Sequence, residues 1–329
     1  MSLPTEFRER FNSYRKPGAM HVDCAAMWSL EQHLWHLGEI VEDLSLQADE
    51  GVIDREARVY EWPRISRWLK TAAGLRCVDI DIAFGEPFLP LCSAGDDYYE
   101  AASNVASAYM TDQTRLHYTW NAVERLLEVL SLDAVQEAPG RYNAATKLLH
   151  DHWGDSSRLE HFDCVSKHLR QHVERDPGLR ERRRLQKALL ETPWRGPSGI
   201  LLSLASQLRH LPAHGDLEFP EPATWGDNEP EPTKQLGYRL HAPRLAARGL
   251  LLSIPMLLIA SRSRAILHGL RTPRSGWWVR RENGSWTRNP NPDWEELIRC
   301  AHLRPPGCDT ATGQDYGLYD DLYEDENAH

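Results

Sequence analysis

Apolar residues recur at helical spacing along most of this chain. Met27, Leu30, Leu34, Leu37 and Val41 step by three and four positions, which predicts a helix running to about Gln47 with Asp23 as its N-cap. Pro63 stands where a first-turn proline would start a second helix, over 64–73. Cys77 to Phe84 alternates instead, with Val78, Ile80 and Ile82 at every second place, and predicts a short strand. From Asp96 to Leu130 there is no proline and no glycine. Tyr118, Val123, Leu126, Leu127 and Leu130 form an apolar stripe there, so one long helix is expected. Further helices are predicted over 142–153, 156–175, 179–190, 199–211 and 235–260. The polar, proline-rich stretch Glu218 to Thr233 reads as a mobile insertion between the last two. Trp277–Arg280 and Trp286–Arg288 flank Asn283-Gly284, the signature of a β-hairpin, and a short helix over 293–301 follows.

These elements define a mainly α protein. An N-terminal, mostly helical block covers 1–94, a helical domain 95–275 with its flexible insertion at 218–233, and a hairpin with a short helix 276–308. The tail, 309–329, holds seven acidic residues and no Lys or Arg, and is expected to be disordered. The net charge is −10, and removing the tail's −7 leaves −3 for the body. That is too little to repel nucleic acid, and Arg180, Arg182, Arg183, Arg184 and Lys187 form a local basic run suited to RNA phosphates or to a solvated helix face. The N-terminus lacks an apolar signal core, and the apolar run Gly249 to Ala260 suits a buried helix better than a membrane span. Cys24, Cys77, Cys92, Cys164, Cys300 and Cys308 are widely spaced and read as reduced thiols. A cytoplasmic protein without a membrane partner is the expectation.

No Walker A loop, GxGxxG before a helix, HExxH or GxSxG elbow is present, which weakens ATPase, dehydrogenase, metalloprotease and serine-hydrolase readings. The chemistry-bearing segment is Arg209-His210-Leu211-Pro212-Ala213-His214-Gly215-Asp216. An Arg neutralises phosphate oxygens. A His moves protons near neutral pH. Spacing alone is weak, since an Arg followed by a His after four to six residues also occurs at Arg15–His21 and Arg262–His268. Context separates the third pair. Arg209 ends an amphipathic stretch, a polar His210 follows it, and Ala213 and Gly215 flank His214 with small residues. The same residues also suit an ordinary helix C-terminus, whose dipole favours cations.

Leu208-Arg209-His210-Leu211-Pro212-Ala213-His214-Gly215 resembles the signature of HEPN (higher eukaryotes and prokaryotes nucleotide-binding) domains, in which a polar residue follows the Arg and a His lies four to six residues beyond it. Asn121 and Arg125, an amide and a base four residues apart on an earlier helix, match a second feature of that family, with Glu124 as an alternative polar partner. The resemblance covers Asp96 to about Leu270. It implies a helical bundle that acts as a metal-independent endoribonuclease, without a cofactor, as a homodimer, in toxin or anti-phage defence systems with an antitoxin or other partner. Arg209 would hold the scissile phosphate and His214 would transfer the proton. His210, Asn121, Glu124 and Arg125 would support them, with Asp216 orienting His214. RNA would be cut by attack of its own 2′-OH to leave a 2′,3′-cyclic phosphate. A non-catalytic HEPN-like interaction module is the alternative. A zinc-holding helix built on His161, Cys164 and His168 is a weaker one.

Overall fold

The computed structural model describes residues 27–49, 62–82, 84, 93–132, 139–154, 158–213, 220, 230–261, 277–281, 283–289 and 292–305. Among them are ten helices: α1 (Leu30–Asp49), α2 (Trp62–Gly74), α3 (Ser93–Leu130), α4 (Arg141–Trp153), α5 (Phe162–Arg175), α6 (Pro177–Arg180), α7 (Arg183–Leu189), α8 (Pro197–Ala213), α9 (Pro230–Ala260) and α10 (Trp294–Cys300). One antiparallel hairpin, β1 (Trp277–Arg280) with β2 (Trp286–Asn289), pairs Trp277 with Asn289 and Arg280 with Trp286. Gly284, at φ 79°, takes the left-handed position that its turn requires. The mainly α expectation holds. Asp23, Gly215 and the acidic tail lie outside the described residues, as does most of the 218–233 insertion.

Several boundaries move, each for a physical reason. Helix α1 starts at Leu30, not after Asp23, because Ser29 and Gln32 form a reciprocal capping box. Gln32 N–H donates to Ser29 Oγ (3.1 Å) and Ser29 N–H to Gln32 Oε1 (3.3 Å). Helix α5 starts at Phe162 rather than Ser156, after His161 in a left-handed conformation (φ 63°). The single helix expected over 179–190 is two. Leu179 and Leu185 are both buried, and six residues of unbroken helix would turn them about 240° apart. The break at Glu181–Arg182 lets both face one core. Pro230 to Thr233, read as part of the insertion, are the first turn of α9.

Residues 77–82 alternate as the sequence predicts but pair with a helix, not a strand. The N–H groups of Val78, Ile80 and Ile82 donate to Thr111 Oγ1 (2.8 Å), Ser107 Oγ (2.9 Å) and Ser103 Oγ (3.0 Å). Three hydroxyls spaced by four along α3 therefore replace a neighbouring strand.

Helix α9 is the axis of the fold, packing against α1, α3, α4, α5, α8 and α10. Its segment Gly237–Ala260 is long and apolar enough to cross a membrane, yet it is wholly buried in the protein. One hydrophobic cluster runs from Met27 to Leu303 and takes in α1 and α2 as well as the later helices. Helix α8, which carries Arg209, lies against α9 at Gly249, where an added Cβ would sit 2.7 Å from Leu201 Cδ1. Gly249→Val should therefore destabilise the fold by about 1–3 kcal/mol through overpacking. Urea unfolding would show a lower midpoint at unchanged slope.

Two buried polar centres tie distant parts of the chain together. Glu31 of α1, Asp112 and Arg115 of α3, and Arg244 of α9 form an ion quartet. Both guanidinium groups reach Glu31 Oε1 at 3.0 Å and Asp112 Oδ1 at 3.0 and 3.3 Å. The second centre surrounds Arg248, which is fully buried and donates to Trp28 O (2.7 Å) and His33 Nδ1 (2.9 Å). Beside it Met27 bridges to Leu303, and Trp28 N–H donates to His302 O (3.0 Å), so the start and end of the described chain meet. Burial first, then nearby positive charge, holds His33 well below its ordinary value and His302 at about 3. Both are neutral at physiological pH.

Candidate functional site

Helices α3 and α8 touch where the sequence places its two polar features. Gln113 of α3 secures the end of α8 by donating from Nε2 to Leu208 O (3.3 Å) and Arg209 O (3.4 Å). Two turns further along α3, the Arg209 guanidinium lies 4.9 Å from the centre of the Trp120 ring. It donates from Nη1 to Glu124 Oε1 (3.3 Å). Trp120 Nε1–H donates to the same carboxylate oxygen, which fixes the rotamers of both α3 residues. Arg209 Nη2 donates to His210 Nε2 at 2.9 Å. An Arg cannot accept a hydrogen bond, so Arg209 is the donor and His210 Nε2 the acceptor.

Burial lowers the proton affinity of Arg209 and the charge of Glu124 opposes this; the guanidinium keeps its charge. Its side chain is 13% exposed and that of Glu124 is 49%. The Arg is thus held from below by an aromatic face and from the side by a carboxylate that water reaches. An incoming phosphate can meet Arg209 only by sharing it with Glu124 or displacing it.

Of the residues singled out in the sequence, Arg209, His210 and Glu124 come together. Arg125 does not join them. It faces Glu128 (2.8 Å), which also takes Arg141 (3.2 Å). Asn121 is half-buried beside Trp120 on α3. His214 and Asp216 lie outside the described residues. In the basic run, Arg180 is exposed at the end of α6, Arg182 precedes α7, and Arg183 and Arg184 are exposed on it.

His117 is a residue that the motif search missed. Burial lowers its proton affinity and the charge of Arg209 lowers it further, while Glu124 pulls it up. His117 therefore shares the electrostatic neighbourhood of the Arg209–Glu124 pair and is neutral, able to accept a proton, at neutral pH. Its signal was available as spacing. His117, Trp120, Asn121 and Glu124 stand at i, i+3, i+4 and i+7, one face of a helix.

A cleft of about 400 Å³ opens beside this pair of helices. Its lining includes Arg184 and Lys187 of α7, Tyr142 of α4, Arg195 before α8, and Ser203 and His210 of α8. Tyr142 Oη–H donates to Ser203 Oγ (2.6 Å) and Arg195 Nη1 donates to the same oxygen (3.0 Å). Burial first pushes the Tyr142 phenol up to about 12, so it stays protonated. His210 belongs both to this cleft and to the Arg209 site.

The histidine-rich face of α5 does not assemble a ligand set. Cys164 is disulfide-bonded, which corrects the expectation that it is a reduced thiol; Cys77 and Cys300 are free. His172 is buried and holds its Nδ1 2.7 Å from the carbonyl of His168. Burial first takes it down to about 4. Among the described residues no three His, Cys, Asp or Glu side chains are grouped to hold a metal.

No known protein family, curated protein or solved structure matches the chain. What the site does has to be read from its own geometry.

Proposed function

We propose that the protein is a metal-independent endoribonuclease of HEPN type, acting in the cytoplasm as a toxin or anti-phage effector. The observation that carries this reading is the meeting of Arg209 and His210, at the end of α8, with Trp120 and Glu124 of α3. Arg209 supplies a planar, permanently charged donor fork for the scissile phosphate. The ribose 2′-oxygen bonds to phosphorus, the bond to the 5′-oxygen breaks, and a cyclic phosphate and a 5′-hydroxyl result. One group takes the 2′ proton and another protonates the leaving oxygen. His214 serves one of these steps. A homodimer, with two copies of the segment around one cleft, supplies the second from the partner's copy. The first test is expression in cells of the wild type, Arg209→Ala and His214→Ala, with RNA integrity and growth as readouts. Degraded RNA and arrested growth with the wild type alone is the expected result. Equal degradation by all three overturns the reading.

Glu124 gives a finer test. It competes with phosphate for Arg209, and an ion pair exposed on one side is worth up to about 1 kcal/mol. Glu124→Gln should tighten binding of a non-cleavable 2′-O-methyl RNA by up to about 5-fold, measured by fluorescence anisotropy. Unchanged affinity would show that RNA does not contact Arg209.

The same pair favours a second reading. Arg209 is already engaged by Glu124, Trp120 and His210, as it would be in a non-catalytic helical module that assembles with a partner protein. Such a module binds its partner undiminished after Arg209→Lys and degrades no RNA in any variant.

A further inference from the structure

The cleft beside Arg209 is built like an anion site. Its lining carries three cationic side chains, Arg184, Lys187 and Arg195, and no acidic one. Arg184 and Lys187 make no ion pair with any described residue, although the chain carries more acidic than basic residues. Arg195 is not spare in the same way. It is fixed by Ser203 Oγ, by Lys187 O (3.3 Å) and by the Trp194 ring 5.1 Å away. One cation is thus pre-positioned at the wall and two more are free at the rim. Like charges gathered without counter-charge repel one another, and an anion between them relieves that cost.

The cleft also has a floor for a nucleotide. Ser203, Gln207 and His210 stand at i, i+4 and i+7 and give α8 one polar stripe along it, faced by Arg184 and Lys187 at i and i+3 on α7. Tyr142 also lines the cleft. A volume of about 400 Å³ lies in the range of small-ligand sites, about 300–1,000 Å³. That is room for one nucleotide unit.

We propose that this cleft seats the phosphate of the nucleotide next to the one cut at Arg209, so that the protein takes single-stranded RNA and His210 marks the boundary between the two subsites. The place of this site beside a scissile phosphate rests on the nuclease reading. The shared chemistry is a nucleotide phosphate, carried on a strand or on a free mononucleotide.

The test uses the full chain with two probes, a fluorescent 2′-O-methyl hexanucleotide, which cannot be cleaved, and 5′-AMP as a competitor. The variant is Arg184→Gln with Lys187→Gln, at two exposed positions whose loss leaves the core untouched. Arg67→Gln with Lys167→Gln, both exposed elsewhere, removes the same charge as a control. The cleft variant should bind the hexanucleotide at least about 10-fold more weakly. Its slope of log affinity against log salt should be shallower by about 0.7, the contribution of the one single-strand phosphate the cleft seats. The control should stay within about 2-fold of wild type. Binding of AMP that is lost in the cleft variant, with no hexanucleotide binding, assigns the same phosphate site to a free nucleotide. Wild-type affinity and slope for both probes in the cleft variant overturns the proposal, as does the absence of binding of either probe to the wild type. The two readings fail separately. Cleavage with cleft-independent binding sinks the cleft alone. Cleft-dependent binding without cleavage under any condition sinks the nuclease alone.

Discussion

If the protein cuts RNA as proposed, Arg209→Ala is expected to lower the cleavage rate by at least about 100-fold, the usual cost of deleting one group that binds developing charge or moves a proton. The fold barely notices. The side chain's partners are the Trp120 face, the half-exposed carboxylate of Glu124 and His210 Nε2, together worth about 1–2 kcal/mol. Arg209→Lys keeps the charge but loses the planar fork, so an intermediate loss of about 10-fold is expected. His214→Ala should match Arg209→Ala, and the double variant should be no worse than either single one, because both act in one step. Single-turnover cleavage of a labelled ribo-oligonucleotide, with thermal unfolding in parallel, separates loss of chemistry from loss of fold. A melting temperature that drops with activity would make Arg209 a structural residue instead.

The largest effect on stability belongs to Glu31. Burial alone would raise its carboxyl, but the charges of Arg244 and Arg115 overcome that and hold it at about 2. The folded value lies below the ordinary carboxyl value of 4.5. Its contribution is therefore complete above pH 4.5 and is lost as pH falls towards 2. A shift of this size corresponds to about 3 kcal/mol at neutral pH. Glu31→Gln removes the carboxylate that Arg115 and Arg244 share with Asp112, and should lower the melting temperature at pH 7 by roughly 5 °C. The difference from wild type should shrink as pH drops from 4.5 towards 2. An equal deficit at pH 7 and at pH 3 would mean that packing, not charge, is what Glu31 contributes.

That quartet also shows what periodicity does not carry. The stripes of α3 and α8 are local, repeating every three or four residues, and both helices could be placed from them. Arg209, His210 and Glu124 were legible for the same reason, as polar positions at set points of amphipathic helices. Which helix faces which is not local. Glu31 pairs with Arg244, 213 residues away, and nothing near either residue announces the other. The basic cleft escaped for that reason as well, since its walls come from α4, α7 and α8. Arg184 was singled out as part of a run, but Arg195 and Ser203 were not. Alternation over 77–82 was read correctly and assigned to the wrong partner, because hydroxyls spaced by four on a helix can satisfy an extended backbone as a strand does. His117 was legible too, as the first position of the i, i+3, i+4, i+7 face that Trp120, Asn121 and Glu124 continue.

The central claim is that Arg209 and His214 cut RNA without a metal. The direct measurement incubates purified wild-type protein and Arg209→Ala with a labelled single-stranded RNA in excess EDTA, and identifies the new ends. The account predicts 2′,3′-cyclic phosphate and 5′-hydroxyl termini from the wild type and intact RNA from Arg209→Ala. Equal cleavage by both proteins, 3′-hydroxyl ends, or RNA left whole by the wild type would contradict it.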